Sequence, residues 1–97
     1  MKVYIAGKIT GDPNYLAKFF RASAALRKQG HIVLNPAMLP EGMTPADYMR
    51  ICFPMIDCSD AVAFFPDWEE SAGAKLEYAY CEYIGKRTIF LAAKTET

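Results

Sequence analysis

Short apolar runs alternate along this chain with longer segments of helical period, and that alternation constrains the fold more than any other feature. Runs of four or five apolar residues separated by helices of ten or more read as βαβ units, whose strands lie parallel because each crossover helix carries the chain back to the same end. The run Ala61-Val-Ala-Phe-Phe65 contains no polar residue at all. A strand of that kind is covered on both faces, as a central strand of a parallel sheet must be. The expected architecture is a three-layer α/β sandwich of flavodoxin/Rossmann-like type. Its sheet has four parallel strands with room for a fifth, in the order 2-1-3-4.

The segments follow in sequence. Lys2 to Ala6 is the first strand, and Gly7 to Asn14 is a loop rich in turn residues. A helix runs from about Tyr15 to Gln29 with an inner stripe of Leu16, Phe19, Phe20 and Leu26 around the small Ser23, and Gly30 ends it. His31 to Leu34 is the second strand and Asn35 to Thr44 a loop. Thr44 followed by Pro45 has the form of an N-cap with proline at the first helical position. The helix that starts there runs towards Cys58, and Pro54 is expected to kink or break it. Ala61 to Phe65, a loop over Pro66 to Glu70, a helix from Ser71 to Ile84 and a last strand over Thr88 to Ala92 complete a single domain covering residues 1–97.

In the last helix, Gly73, Glu77, Tyr80 and Ile84 fall on one face, with Lys75, Tyr78 and Glu82 opposite. Glu77 is the only charged group on that inner stripe. An ionised carboxylate buried without a partner costs several kcal/mol, so its position calls for catalysis, a ligand or an ion pair. For the ion pair, Lys8 is the nearest candidate. In open parallel sheets ligands bind beyond the carboxyl ends of the strands, where the loops after the first, second and third strands converge. The Glu77 helix starts at that end with Ser71-Ala-Gly-Ala, small residues that admit an anion to the free N–H groups of its first turn. Candidate ligand contacts are therefore Ser71 and Gly73 at the helix start, Gly7 to Gly11 in the first loop, and Asp67 and Trp68 in the third. Trp68 reads equally as a surface aromatic. Tyr4, in a strand buried on both faces, needs a partner for its hydroxyl. A backbone carbonyl would serve, and so would Glu77 from the neighbouring helix.

Charge and composition narrow the function classes. Eleven basic and eleven acidic residues balance, with no basic stripe, which argues against binding a nucleic-acid polymer. Cys52, Cys58 and Cys81 are odd in number and lack C-x-x-C spacing, the usage of free thiols in a reducing compartment. A zinc site or any other metal site is not expected, nor is a catalytic arrangement around the lone His31. The amino terminus runs straight into a strand without the pattern of a secretory signal, and no stretch approaches the roughly 18 to 20 apolar residues of a membrane span. The expectation is a cytoplasmic protein that takes a small molecule. Self-association into a homodimer or higher homo-oligomer is expected from the small size and from the aromatic residues Tyr48, Phe53, Tyr78 and Tyr83.

The order Val3-Tyr-Ile-Ala-Gly7, Asp60-Ala-Val-Ala-Phe-Phe-Pro66, Ser71-x-Gly73 with Glu77, and Gly85-Lys86 resembles the nucleoside 2-deoxyribosyltransferase superfamily, which includes 2′-deoxynucleoside 5′-monophosphate N-glycosidases. Over nearly the whole chain it is similar to the small DUF4406 branch common in bacteriophages, for which Pro66-Asp-Trp-Glu-Glu-Ser-Ala-Gly-Ala74 followed by Glu77 is typical. The resemblance implies a nucleoside or nucleotide N-glycosidase or deoxyribosyltransferase without cofactor, acting in a host cytoplasm where phage-encoded. It makes Glu77 the nucleophile and Tyr4 the residue that orients it. Ser71 becomes a 5′-phosphate contact, and Gly7, Lys8, Ile9, Thr10 and Gly11 the loop that wraps the substrate. One position departs from the family pattern: Cys52 stands where an aspartate usually lies near the base. The alternative is a module that binds a nucleotide or ADP-ribose-like ligand without turnover.

Overall fold

The computed structural model describes residues 1–92. Four parallel strands, β1 (Lys2–Ala6), β2 (Ile32–Leu34), β3 (Ala61–Phe64) and β4 (Arg87–Phe90), form one sheet in the order β2-β1-β3-β4. Helices α1 (Tyr15–Lys28), α2 (Pro45–Cys58) and α3 (Ala72–Ile84) connect them, with short 3₁₀ turns at Pro36–Met38 and Trp68–Glu70. Among the described residues there is no fifth strand, and no helix is long and apolar enough to cross a membrane.

Strand pleating sorts the core into two layers. In β1 and β3, Tyr4, Ala6, Val62 and Phe64 pack with Cys52 and Ile56 of α2 and Cys81 of α3, whereas Ile5 packs with Phe19 of α1, Ala37 and Phe65. Because successive side chains of a strand point to opposite faces, the parity of Tyr4 aims it at the α2/α3 layer. Every residue of β3 is buried, as its apolar composition requires.

Local chemistry explains the helix boundaries. The Thr44 hydroxyl accepts from the Asp47 N–H at 3.2 Å while the Asp47 carboxylate accepts from the Thr44 N–H at 3.3 Å, a reciprocal cap that starts α2 at Pro45. Ser71 caps α3 by accepting from the Ala74 N–H at 3.1 Å. Gly85 ends α3 in the left-handed conformation, φ 74°, where glycine carries no steric penalty.

The structure departs from the sequence expectations at several positions. Leu16 and Phe20 are 53% and 64% exposed. The buried stripe of α1 is instead Phe19 and Ser23, flanked by the partly buried Tyr15, Ala22 and Leu26, a face rotated by about one residue from the one predicted. Pro54 does not break α2, which runs unbroken from Pro45 to Cys58. The proline leaves the carbonyl of Arg50 without its helical donor, but both residues are exposed and water can replace it. On α3 the buried residues are Ala74, Glu77 and Cys81, while Ile84 is 42% exposed. Tyr78, assigned to the outer face, packs within an aromatic group of Phe64, Trp68 and Phe90.

Gly7 follows β1 where the chain crosses Phe65. A Cβ added there would lie 2.6 Å from the Phe65 ring and 2.9 Å from the Phe65 Cβ, and Phe65 is itself buried. The glycine is thus set by core packing. Gly7→Ala is expected to lower unfolding free energy by about 1–3 kcal/mol, the usual range for an overpacked core; urea denaturation of the two proteins measures it.

Candidate active site

The sheet parity that turns Tyr4 towards α3 brings its hydroxyl to Glu77. The phenol donates to Glu77 Oε2 at 2.7 Å, with Tyr4 1% and Glu77 5% exposed. The partner that the buried tyrosine needs and the partner that the buried carboxylate needs are the same contact. Cys52, 4% exposed on α2, completes this group at the base of a cavity of about 490 Å³, a size in the range of small-molecule sites.

Three segments wall the cavity above them. Gly7, Ile9 and Thr10 form one side, Ser71, Gly73 and Ala74 at the start of α3 a second, and Leu39, Met43, Tyr48 and Met49 the third. The Ala74 N–H is taken by the Ser71 hydroxyl and the Lys75 N–H by the Ser71 carbonyl. The Ala72 and Gly73 N–H groups stand in the first turn, where no helical carbonyl precedes them.

Burial dominates the electrostatics of the base. It raises the Glu77 pKa from 4.5 to about 7, against the pull of the Tyr4 hydrogen bond and a smaller pull from the Cys52 thiol. Burial likewise raises Tyr4 well above an ordinary phenol and brings the Cys52 thiol to about 11. The group is therefore one carboxyl with a raised pKa, held between a phenol and a thiol that keep their protons at neutral pH.

The candidate residues divide. Tyr4, Gly7, Ile9, Thr10, Ser71, Gly73 and Glu77 all line the cavity. Lys8, Gly11, Asp67 and Trp68 lie outside that lining. Lys8 does not pair with Glu77; its ammonium lies 3.4 Å from Glu70. Asp67 accepts from the Lys8 N–H at 3.1 Å and from Lys18 Nζ at 2.6 Å. Lys18 also reaches Asp12 at 2.7 Å and the Lys8 carbonyl at 3.0 Å, so one ammonium ties the 7–12 loop to α1 and to the turn after β3. Gly11 supplies a turn at φ 84° and borders a shallower recess beside the cavity. Trp68 sits in the aromatic group with Tyr78, ring centroids 4.6 Å apart.

The sequence reading missed Lys18, Glu41 and the cavity role of Tyr48. The Tyr48 hydroxyl donates to the Pro40 carbonyl at 2.7 Å and accepts from the Met43 N–H at 3.4 Å, shaping the 35–44 loop into a wall. Only the period of α2, which puts Tyr48 and Cys52 four residues apart on one face, could have suggested it. Among the described residues no three His, Cys, Asp or Glu side chains gather as metal ligands do.

Residues 1–90 match the family model described as a domain of unknown function, DUF4406. A protein of Thermofilum pendens, named as a candidate 2′-deoxynucleoside 5′-phosphate N-hydrolase, is 29% identical over 100 aligned positions, spanning 97% of this chain and 69% of that protein. Two solved structures share the fold. A 2-deoxyribosyltransferase from Leishmania mexicana superposes with TM-score 0.73 at 21% identity over 93% of this chain. One from Bacillus psychrosaccharolyticus superposes with TM-score 0.75 at 20% identity over all of it. The chain spans 63% of the Leishmania protein and 75% of the Bacillus one.

The elevated pKa has a signed consequence for stability. Between about pH 4.5 and pH 7 folded Glu77 keeps a proton that the unfolded chain has released, so its contribution to stability falls as pH rises through that window. At about 1.4 kcal/mol per pKa unit, a rise from 4.5 to about 7 corresponds to about 3 kcal/mol. Glu77→Gln is expected to gain stability relative to the native protein as pH goes from 5 to 8, read from urea midpoints across that range; parallel pH profiles for the two proteins would contradict the assignment.

Proposed function

The chain belongs to the DUF4406 family, and from that membership and the cavity geometry we propose that it cleaves or transfers the N-glycosidic bond of a nucleoside or nucleoside 5′-monophosphate, with Glu77 as nucleophile. The observation that carries this reading is the Tyr4–Glu77 pair, buried and hydrogen-bonded at the base of a cavity open to a small molecule. Similarity to the Thermofilum pendens relative named for 2′-deoxynucleoside 5′-phosphates and the fold shared with 2-deoxyribosyltransferases support the same chemistry.

The steps use groups already described. Tyr4 holds Oε2 and leaves Oε1 to attack the anomeric carbon of the sugar. As the C–O bond forms the C–N bond breaks, through an oxocarbenium-like state that the carboxylate charge stabilises. The electron pair leaves with the base, which takes up a proton from solvent, and the attacking water or second base gives one back in the next step. Water, or the ring nitrogen of a second base, then displaces the glycosyl ester and restores the carboxylate. Attack requires ionised Glu77, so activity rises with pH through about 7. The Cys52 thiol carries a proton at neutral pH but is a weak acid at about 11. It stands beside the carboxylate as a polar, uncharged wall.

The 5′ end of the substrate fits the start of α3. The Ser71 hydroxyl and the free N–H groups of Ala72 and Gly73 offer donors to a phosphate, and the helix adds about half a positive charge there. The sugar lies over Glu77. The base faces the Leu39, Met43 and Met49 wall, whose apolar side chains match an aromatic ring.

Purified protein incubated with 2′-deoxynucleosides and their 5′-monophosphates is expected to release free base, measured by liquid chromatography. Glu77→Gln is expected to lower the rate by more than about 10³-fold, as removal of a covalent nucleophile does. Intact ligand recovered after tight binding to the native protein would instead favour a module that binds without turnover. Tyr4→Phe removes a hydrogen bond that stabilises the ionised carboxylate. The acid limb of its kcat/KM profile is expected to move above the native one, and an unmoved limb would show that Tyr4 does not tune Glu77.

A further inference from the structure

The charged groups that line the cavity are all of one sign. Glu41, Glu70 and Glu77 line it, while among the described lining residues there is no Lys, Arg or His. Two lysines stand nearby. Lys18 is fully engaged by Asp12, Asp67 and the Lys8 carbonyl. Lys8 is offset by Glu70, its Nζ 3.4 Å from Glu70 Oε1, with the two side chains 29% and 66% exposed. Glu70 immediately precedes the Ser71 cap, so its carboxylate stands at the outer edge of the helix start to which an anion would come.

From this arrangement we propose that Glu70 is a specificity-determining residue that limits how much negative charge the cavity accepts, by holding Lys8 in an ion pair at the rim. The inference rests on the substrate reading above and refines it. The start of α3 contributes about half a positive charge, enough to favour one phosphate against its N–H donors. Any further phosphate must extend outward past Glu70, where the Lys8–Glu70 pair is close to neutral and the remaining lining charges are carboxylates. A neutral nucleoside or a monophosphate is therefore accepted, and each added phosphate meets increasing opposition.

The pair lies in the partly hydrated rim, so its effect is coulombic and graded. Unit charges about 7 Å apart in water alter binding by about two- to threefold per unit of ligand charge. A role in folding or loop packing would instead change turnover of every ligand by one common factor. That difference separates the two explanations.

The test compares native protein with Glu70→Gln, Lys8→Gln and the double variant on a 2′-deoxynucleoside and its 5′-mono-, di- and triphosphates, reading kcat/KM for base release. The expected native order falls from monophosphate to triphosphate. In Glu70→Gln the ratio of diphosphate to nucleoside turnover is expected to rise about tenfold, in Lys8→Gln to fall, and in the double variant to return near the native ratio. Raising salt to 1 M should flatten all four series, because surface charges are then screened within about 3 Å. Equal factors on every ligand, or native turnover of the triphosphate matching that of the monophosphate, would overturn the proposal. Should the native protein release no base from any of the four, the substrate reading fails. The charge filter is then decided by calorimetry with inorganic phosphate and pyrophosphate. A pyrophosphate-to-phosphate affinity ratio that rises in Glu70→Gln upholds it; an unchanged ratio, or no binding of either anion, refutes it.

Discussion

A carboxylate in a dry interior must be neutralised, paired or given hydrogen bonds, and the way this chain meets that demand at Glu77 organises the molecule around it. The donor comes from Tyr4, 73 residues away in sequence, on the strand at the middle of the sheet. Joining β1 to α3 by a single 2.7 Å bond requires the α2/α3 layer to lie on the side of the sheet that even-numbered β1 residues face. It also requires α3 to present its 74/77/81 stripe inward. The sheet register, the parity of β1 and the rotation of α3 are thus all expressed in one contact. The cost of that burial appears as a carboxyl whose pKa is raised from 4.5 to about 7.

The walls of the cavity are held by interactions of a different kind. Lys18, on the helix packed against the opposite face of the sheet, reaches around to the loop after β1 and to the turn after β3. Its ammonium lies 5.6 Å and 5.1 Å from the ring centroids of Phe19 and Phe65. A loop containing two glycines is thereby held in one shape, with Ile9 its one side chain packed against the core. Tyr48 performs the same service for the 35–44 loop through the Pro40 carbonyl and the Met43 N–H. The charges involved in these ties are consumed by them, which leaves the cavity itself acidic and apolar, with backbone N–H groups as its main donors.

Much of this was legible in the sequence, for physical reasons specific to each element. The apolar run of β3 can be satisfied only by coverage on both faces, which places it in the interior of a parallel sheet. The Thr44-Pro45 and Ser71 caps announce helix starts because their side chains answer orphan N–H groups locally. Glu77 stood out because an apolar face penalises a charge. What was misjudged depends on rotation and on contacts distant in the chain. The α1 stripe was displaced because aromatic residues at 19 and 20 compete for one face, and only the sheet beneath decides between them. Trp68 was a candidate ligand contact, yet Phe64, Tyr78 and Phe90 surround it, an association of four residues from four elements that no local pattern displays. Asp67, a candidate ligand contact in the turn after β3, has its acceptors used by the Lys8 N–H and Lys18.

The sequence by itself determined the order and type of the elements, the parallel sheet and the presence of a buried acid on its last helix, because periodicity, capping and desolvation act over a few neighbouring residues. Only the tertiary structure decided that Tyr4 is the partner of that acid, that Cys52 adjoins them, and that Lys8 pairs with Glu70 rather than Glu77. Those outcomes depend on how far one helix turns and how closely one loop approaches another, and such distances are fixed by packing across the whole core, where each side chain takes the partner that the others leave within reach.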